Sequence, residues 1–247
     1  MGVLEGRIAL VTGGSRGIGY AAAAGLAREG ADLVLVGRDD ARVRAAAETL
    51  GRENPARRVA PVACDVSDLD AVLALPEQLG AYGAVDVLVV AAGVMSARTA
   101  KTLRTDPVEW RRVMATNLDG TWAAMAAFGP GMVERRWGRI ITLSACLGRF
   151  SGPGTSGGLA PYRVSKAGVN ALTRNLAHEV GLGSRGVLVD AVCPGHCRTD
   201  MGGPDAPRSA EEGAETVLWL AGREGRAPDG SLPPTGLLWE DRAVVPW

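Results

Sequence analysis

With 247 residues, 47% of them hydrophobic, the chain can bury a sizeable core and lies inside the usual one-domain range. Its 27 Lys+Arg balance 27 Asp+Glu, so no net basicity argues for nucleic acid or an anionic membrane as partner. Thirty-four glycines and 14 prolines, spread between apolar runs, exclude an all-helical bundle and point to many short connections.

The first predicted element is the apolar strand Arg7–Thr12, which runs into Gly13-Gly14-Ser15-Arg16-Gly17-Ile18-Gly19 and then into an alanine-rich helix ending near Gly30. Leu33–Val36 is the next strand, followed by a charged helix over 40–50. Val59–Cys64 reads as a third strand and Asp68–Tyr82 as a third helical region, shortened or kinked by Pro76. Val85–Ala91, a helix over 107–135, Arg139–Ser144, a helix over 162–180 and Val187–Val192 continue the alternation. A last helix near 209–221 and a final strand Gly236–Trp239 close it. Seven apolar strands separated by helices predict an α/β fold: a single doubly wound Rossmann domain over 1–247, with a mostly parallel sheet covered on both faces. Two Gly-, Ser- and Pro-rich connections, 145–161 and 195–208, follow carboxyl ends of strands, where open α/β sheets bind ligands, and are candidate substrate loops.

The glycine pattern has the context that gives it meaning, because it directly follows a strand and opens a helix. Gly13 suits the tight turn, and Gly17 and Gly19 permit close approach of backbone to phosphate and of helix to sheet. Free N–H groups of the helix N-terminus would face a pyrophosphate. Gly13, Ser15, Arg16, Gly17, Ile18 and Gly19 are therefore candidate cofactor-binding residues. At the end of the second strand stands Gly37-Arg38 rather than an acid that would repel a ribose 2′-phosphate. Arg38 and Arg16 can bind such a phosphate bidentately, so NADP(H) is favoured, although the acidic Asp39 follows at once.

Tyr162 and Lys166 are four apart at the start of a helix and share one face. A free tyrosine titrates near 10, and a nearby ammonium is expected to lower that value. The pair can supply a general acid for carbonyl reduction, or a general base for alcohol oxidation. Taken with the glycine turn, the chain resembles the short-chain dehydrogenase/reductase family over essentially its whole length. Thr12-Gly13-x-x-x-Gly17-x-Gly19 matches that family's cofactor turn. Asp65, followed by Val66, matches the acid that meets the adenine, and Ala92-Gly93 the end of an Asn-Asn-Ala-Gly segment. Asn117 matches an asparagine that supports a proton relay through water; Tyr162, Lys166 and Pro194-Gly195 complete the set, with Thr199 matching a threonine that bonds the nicotinamide carboxamide. The resemblance also implies that Lys166 binds the cofactor ribose. The chain's end, 234–247, together with Tyr162–Ala167 and Thr199–Gly203, is similar to the family's NADPH-dependent carbonyl-reductase branch.

Two departures stand out. Asn-Asn-Ala-Gly reads Val90-Ala91-Ala92-Gly93, losing polar side chains that brace neighbouring strands. The family's catalytic serine is the second of a Ser-Ser pair, which here is Ser144-Ala145. Alanine donates no hydrogen bond, and losing such a donor typically lowers rate by about 10² to 10³. Ser144, or a loop hydroxyl of Ser151, Thr155 or Ser156, is a candidate replacement; the alternative is no replacement at all. His196 reads as a pocket-mouth group or a local structural one, and Cys193 and Cys197 beside it lack the spacing of a closed metal site.

The leading expectation is NADPH-dependent reduction of a ketone or aldehyde carbonyl of a small metabolite, with Tyr162, Lys166, Asn117 and Ser144 as catalytic candidates. A non-redox cyclase or dehydratase on the same fold, and an NADP-binding sensor or partner protein, are the alternatives. A homodimer or homotetramer, pairing through helices 107–135 and 162–180, is implied by the resemblance. No leader-like charged and apolar start and no run of about 18 apolar residues is present, so a cytoplasmic location without membrane or nucleic-acid partners is expected.

Overall fold

The computed structural model describes residues 2–97, 100–152, 157–227 and 229–247. Strands β1 (Ile8–Thr12), β2 (Asp32–Gly37), β3 (Val59–Ala63), β4 (Val87–Val90), β5 (Gly138–Leu143), β6 (Val187–Val192), β7 (Leu238–Glu240) and β8 (Ala243–Val244) form one sheet. Their order is β3-β2-β1-β4-β5-β6-β7-β8. The first seven run parallel, and β8 turns back antiparallel on β7. Helices are α1 (Gly17–Arg28), α2 (Asp40–Glu53), α3 (Leu69–Leu73), α4 (Leu75–Gln78), α5 (Pro107–Met114), α6 (Gly120–Glu134), α7 (Ala160–Glu179) and α8 (Ala210–Ala221).

The continuous apolar strands are explained by burial on both faces. Ala9 and Val11 of β1 join one core with α1 and α8, whereas Leu10 between them joins the core under α6. Leu33 and Leu35 alternate with Val34 and Val36 in the same way, as the two-residue period of a strand requires. Alanines cover α1 because it is wedged between the sheet and α8: a Cβ on Gly25 would lie 2.4 Å from Leu218 Cδ1.

Three details depart from the sequence reading. The sheet has eight strands rather than seven, since β8 is an exposed two-residue strand too short to show a period. The helix expected over 107–135 is divided by a π-helical turn, Ala115–Asp119, between α5 and α6. The region 68–82 splits into α3, α4 and a 3₁₀ turn, Gly80–Gly83, with Pro76 in the first turn of α4. The chain leaves β1 for β2 on one side and pairs it with β4 on the other, so the crevice at this reversal opens above the carboxyl ends of β1 and β4.

Candidate active site and cofactor cleft

A cleft of about 450 Å³ occupies that crevice. Its floor is the turn between β1 and α1. Gly13 has φ +68° and a Cβ there would lie 2.9 Å from Ala92 Cα; a Cβ on Gly19 would lie 2.4 Å from Gly13 O. Only glycine fits either position, so backbone forms the cradle. Arg16 precedes α1 without a side-chain cap, leaving the first helical N–H groups facing the cleft, where an anion is stabilised. Gly13, Ser15, Arg16, Gly17, Ile18 and Gly19 all line this space, together with Arg38, Asp65, Val66, Ala92 and Gly93. The residues present therefore fit a dinucleotide.

At the adenosine end the charges are arranged differently from the sequence reading. Arg16 is drawn into an ion pair with Asp200, from the segment after β6, so its guanidinium is not free. Asp39 caps α2, its carboxylate accepting from Arg42 N at 3.0 Å, which engages the one acid next to Arg38 with its own helix. Arg42 lines the cleft beside Arg38 and was not singled out from sequence. An arginine three residues past Asp39 returns to the same end of the helix after one turn, which is the signal that could have found it. Asp65 accepts from Ser67 N at 3.0 Å and Ser67 Oγ at 2.8 Å. These bonds, aided by the charge of Arg38, hold its carboxyl below the usual range despite burial.

The candidate catalytic pair lies on the first turns of α7. Tyr162 and Lys166 are 6% and 5% exposed and both line the cleft. Lys166 Nζ donates to Leu143 O, at the end of β5, at 2.6 Å and lies 5.9 Å from the centre of the Tyr162 ring. Burial pulls the Lys166 ammonium down to about 8. Burial also pushes the Tyr162 phenol well above its ordinary value, and negative charge on Cys146 pushes the same way. The direction is thus opposite to the lowering expected from the neighbouring ammonium, because removal from water is the largest influence on the phenol.

Asn117 sits on the π-helical turn and is fully buried. Its Oδ1 accepts from Val94 N at 2.8 Å, and its Nδ2 donates to Val94 O and to Ser165 Oγ, each at 3.0 Å. The side chain braces the strand exit at Val94 against α7. Thr12 Oγ1 contributes a second brace, accepting from Ala92 N at 3.2 Å. These bonds occupy the region where Val90-Ala91 lack polar side chains.

Ser144 is buried, and its Oγ donates to Asn170 Oδ1 on α7. That bond engages its hydroxyl with the helix, although Ser144 also lines the cleft. Ala145 follows in extended backbone, φ −162° and ψ 156°, on the other side of the chain from Ser144. Ser151 Oγ donates to Trp247 O at 3.0 Å; Thr155 and Ser156 lie outside the described residues. Pro194 and Thr199 line the cleft, and Thr199 Oγ1 accepts from Gly202 N at 3.1 Å. Gly195, with φ +74°, shapes the exit from β6 without lining the cleft. His196 Nε2 donates to Gly202 O at 2.8 Å, which ties the ring into its own segment. Among the described residues no group of three or more His, Cys, Asp or Glu gathers to hold a metal, and no helix is long and apolar enough to cross a membrane.

Residues 7–210 match the model of the family described as short chain dehydrogenase. The chain is 39% identical over 198 residues to a galactitol 2-dehydrogenase (L-tagatose-forming) of Cereibacter sphaeroides, covering 80% of this chain and 74% of that protein. A 3-oxoacyl-[acyl-carrier protein] reductase from Brucella melitensis with bound NAD superposes with a TM-score of 0.80 at 30% identity, over 96% of this chain and 90% of that one. A metagenomic short-chain oxidoreductase in complex with NADP gives 0.79 at 32% identity, over 96% and 98%. The chain belongs to the short-chain dehydrogenase family of oxidoreductases.

Proposed function

We propose that this oxidoreductase reduces the ketone or aldehyde carbonyl of a small metabolite with NADPH. The observation that carries the reading is the buried Tyr162–Lys166 pair at one end of a cleft whose other end holds Arg38 and Arg42. The two guanidinium groups suit a 2′-phosphate, and Asp39, engaged as a helix cap, offers little opposition to it.

Bound nicotinamide supplies hydride to the carbonyl carbon. Tyr162 supplies the proton at its phenolic oxygen; a phenol held protonated by burial suits an acid better than a base. Lys166, anchored through one proton on Leu143 O, has its remaining ammonium protons available for the cofactor ribose. Asn117 holds Val94 and α7 in register so that a relay to solvent stays aligned. Segments 145–161, of which 153–156 lie outside the described residues, and 195–208, after β5 and β6, are the segments assigned to the substrate. The chain acts as one Rossmann domain in the cytoplasm. Exposed apolar residues on the relevant helices support a homo-oligomer: Val108 and Trp110 on α5, Trp122 on α6 and Val164 on α7.

NADPH oxidation measured against a panel of ketones and aldehydes tests the activity. Tyr162→Phe should lose turnover, and full activity in that variant removes Tyr162 as proton donor. A preference for NADPH that persists in Arg38→Ala/Arg42→Ala would sink the phosphate assignment. Ala145, with Ser144 and Ser151 both engaged elsewhere, favours one second reading: a non-redox cyclase or dehydratase. Product formed without change in nicotinamide absorbance would select it.

A further inference from the structure

We propose that Cys146 and Cys193 are a peroxide-responsive thiol pair that closes to a disulfide beside Tyr162. The two residues leave neighbouring strands. Leu143 of β5 pairs with Val192 of β6, and Ser144 N donates to Val192 O at 2.8 Å. Cys193 is the next residue after Val192, and Cys146 opens a short 3₁₀ turn, Cys146–Gly148. Continuing that register sets Cys193 beside Ser144, two residues before Cys146, on strands about 4.8 Å apart. Cys146 packs against the small cluster of Ala191, Cys193 and Leu238.

The two thiols have unequal surroundings, which assigns their roles. Cys146 is partly exposed, whereas Cys193 is 2% exposed. The neighbouring Cys193 thiol holds Cys146 below its ordinary range, while the interaction with Cys146, together with burial, pushes Cys193 up. Cys64 and Cys197 are both buried and both pushed up by burial, and Cys197 Sγ donates to Pro194 O at 3.2 Å. Cys146 is thus the accessible nucleophile among the four and Cys193 is the resolving thiol.

The chemistry balances with a hydroperoxide as oxidant. Cys146 thiolate attacks one peroxide oxygen, an S–O bond forms, the O–O bond breaks, and the departing hydroxide takes a proton to become water. Sulfur is oxidised to sulfenic acid and the peroxide is reduced. Cys193 sulfur then attacks Cys146 sulfur; the S–S bond forms and the S–O bond breaks. The hydroxyl leaves as a second water with the Cys193 proton.

The Cys146 turn is coupled to the reactive lysine by packing. A Cβ on Gly148 would lie 2.7 Å from the Lys166 carbonyl carbon, and Asn170 Nδ2 donates to Gly148 O at 3.3 Å. Drawing Cys146 onto Cys193 moves this turn against α7 at Lys166. That link to turnover rests on the reading of Tyr162 and Lys166 as the reactive pair; the disulfide itself does not.

The test treats the reduced full chain with stoichiometric hydrogen peroxide, blocks remaining thiols and maps peptides by mass spectrometry. The expected product is a Cys146–Cys193 peptide, with Cys64 and Cys197 still alkylated. Carbonyl reduction should fall on the order of 10²-fold, because small displacements of reacting groups are that expensive, and dithiothreitol should restore it. In Cys193→Ser, Cys146 should stop at a sulfenic acid trapped by dimedone. A map in which Cys146 is over-oxidised while Cys193 stays free, or in which either pairs elsewhere, overturns the proposal. A mapped disulfide with unchanged turnover overturns the link to Tyr162. The peptide map reads out even where no carbonyl in the panel is reduced, so it separates this proposal from the reductase reading.

Discussion

Two buried cations stand at opposite ends of β5, and the contrast between them separates a charge enclosed by the fold from one that lines the cleft. Arg139, at the start of the strand, is 1% exposed. It donates to Arg223 O through Nε and Nη2 and to Gly138 O and Gly186 O through Nη1. Its guanidinium also lies 4.5 Å from the Trp137 ring, with Arg7 at 3.8 Å from that ring. Nearby, Arg223 pairs with buried Asp190 and lies between the rings of Trp219 and Trp239. Asp190 accepts in addition from Leu237 N and Trp239 Nε1. At the other end, Lys166 is equally buried but has one carbonyl partner, Leu143 O, among the described residues. A cation satisfied on all sides rigidifies a fold; one left with unpaired protons over a cleft is poised for a ligand.

Lys166→Met should give the largest effect. Turnover should fall by about 10² to 10⁴, the range general acid–base groups contribute. Stability should move the other way, because the variant removes a buried charge. The Lys166 ammonium titrates near about 8 when folded, against about 10.4 unfolded. The unfolded chain therefore binds more protons between these values, and wild-type stability rises with pH across that window. The methionine variant should be more stable by on the order of 3 kcal/mol at pH 7, with the gap closing as pH passes from about 8 to about 10.4. Urea titrations of both proteins at pH 7 and 10 check this, and a less stable variant at pH 7 would erase the contrast.

Asp190→Ala, second in size, probes the opposite end. Removing one partner of a buried pair leaves an uncompensated charge and typically lowers stability by about 3–5 kcal/mol. The loss should appear in urea unfolding, while KM for the cofactor stays unchanged in the folded fraction. A normal urea midpoint with altered kinetics would show that the two ends are not independent.

The sheet was legible because parallel strands buried on both faces are written as uninterrupted apolar runs, and each run here is followed by helical periodicity. The cradle at Gly13 and Gly19 was legible for a similar reason: steric demand on backbone leaves glycine no substitute. What escaped the sequence reading depends on partners far away along the chain. Nothing near Arg16 announces that Asp200 will take its guanidinium. The π-helical turn at Ala115–Asp119 interrupts no apolar pattern, since one added backbone step leaves neighbouring residues helical. The phenol of Tyr162 was misjudged because sequence showed the ammonium four residues on but not the depth at which both are buried. Ser144 lies between these cases: strand alternation already placed it opposite Ala145, and Asn170 explains where its hydroxyl goes.

Ala145→Ser tests the smallest effect and the sharpest difference between the ends of β5. At the strand's start Arg139 donates to three carbonyls, whereas at its exit Ala145 has no hydroxyl to donate. Serine adopts the extended backbone of Ala145 without strain, and the site is only partly buried, so stability should change by less than about 0.5 kcal/mol. The new hydroxyl should raise kcat/KM for carbonyl reduction by on the order of tenfold, short of the 10²–10³ a donor is worth in a site shaped around it. The increase should reside in kcat, because an interaction strengthened in the transition state raises turnover while uniform binding lowers KM. Steady-state kinetics with NADPH and one reducible carbonyl decide the point. An unchanged kcat means that the substrate oxygen does not approach Ala145.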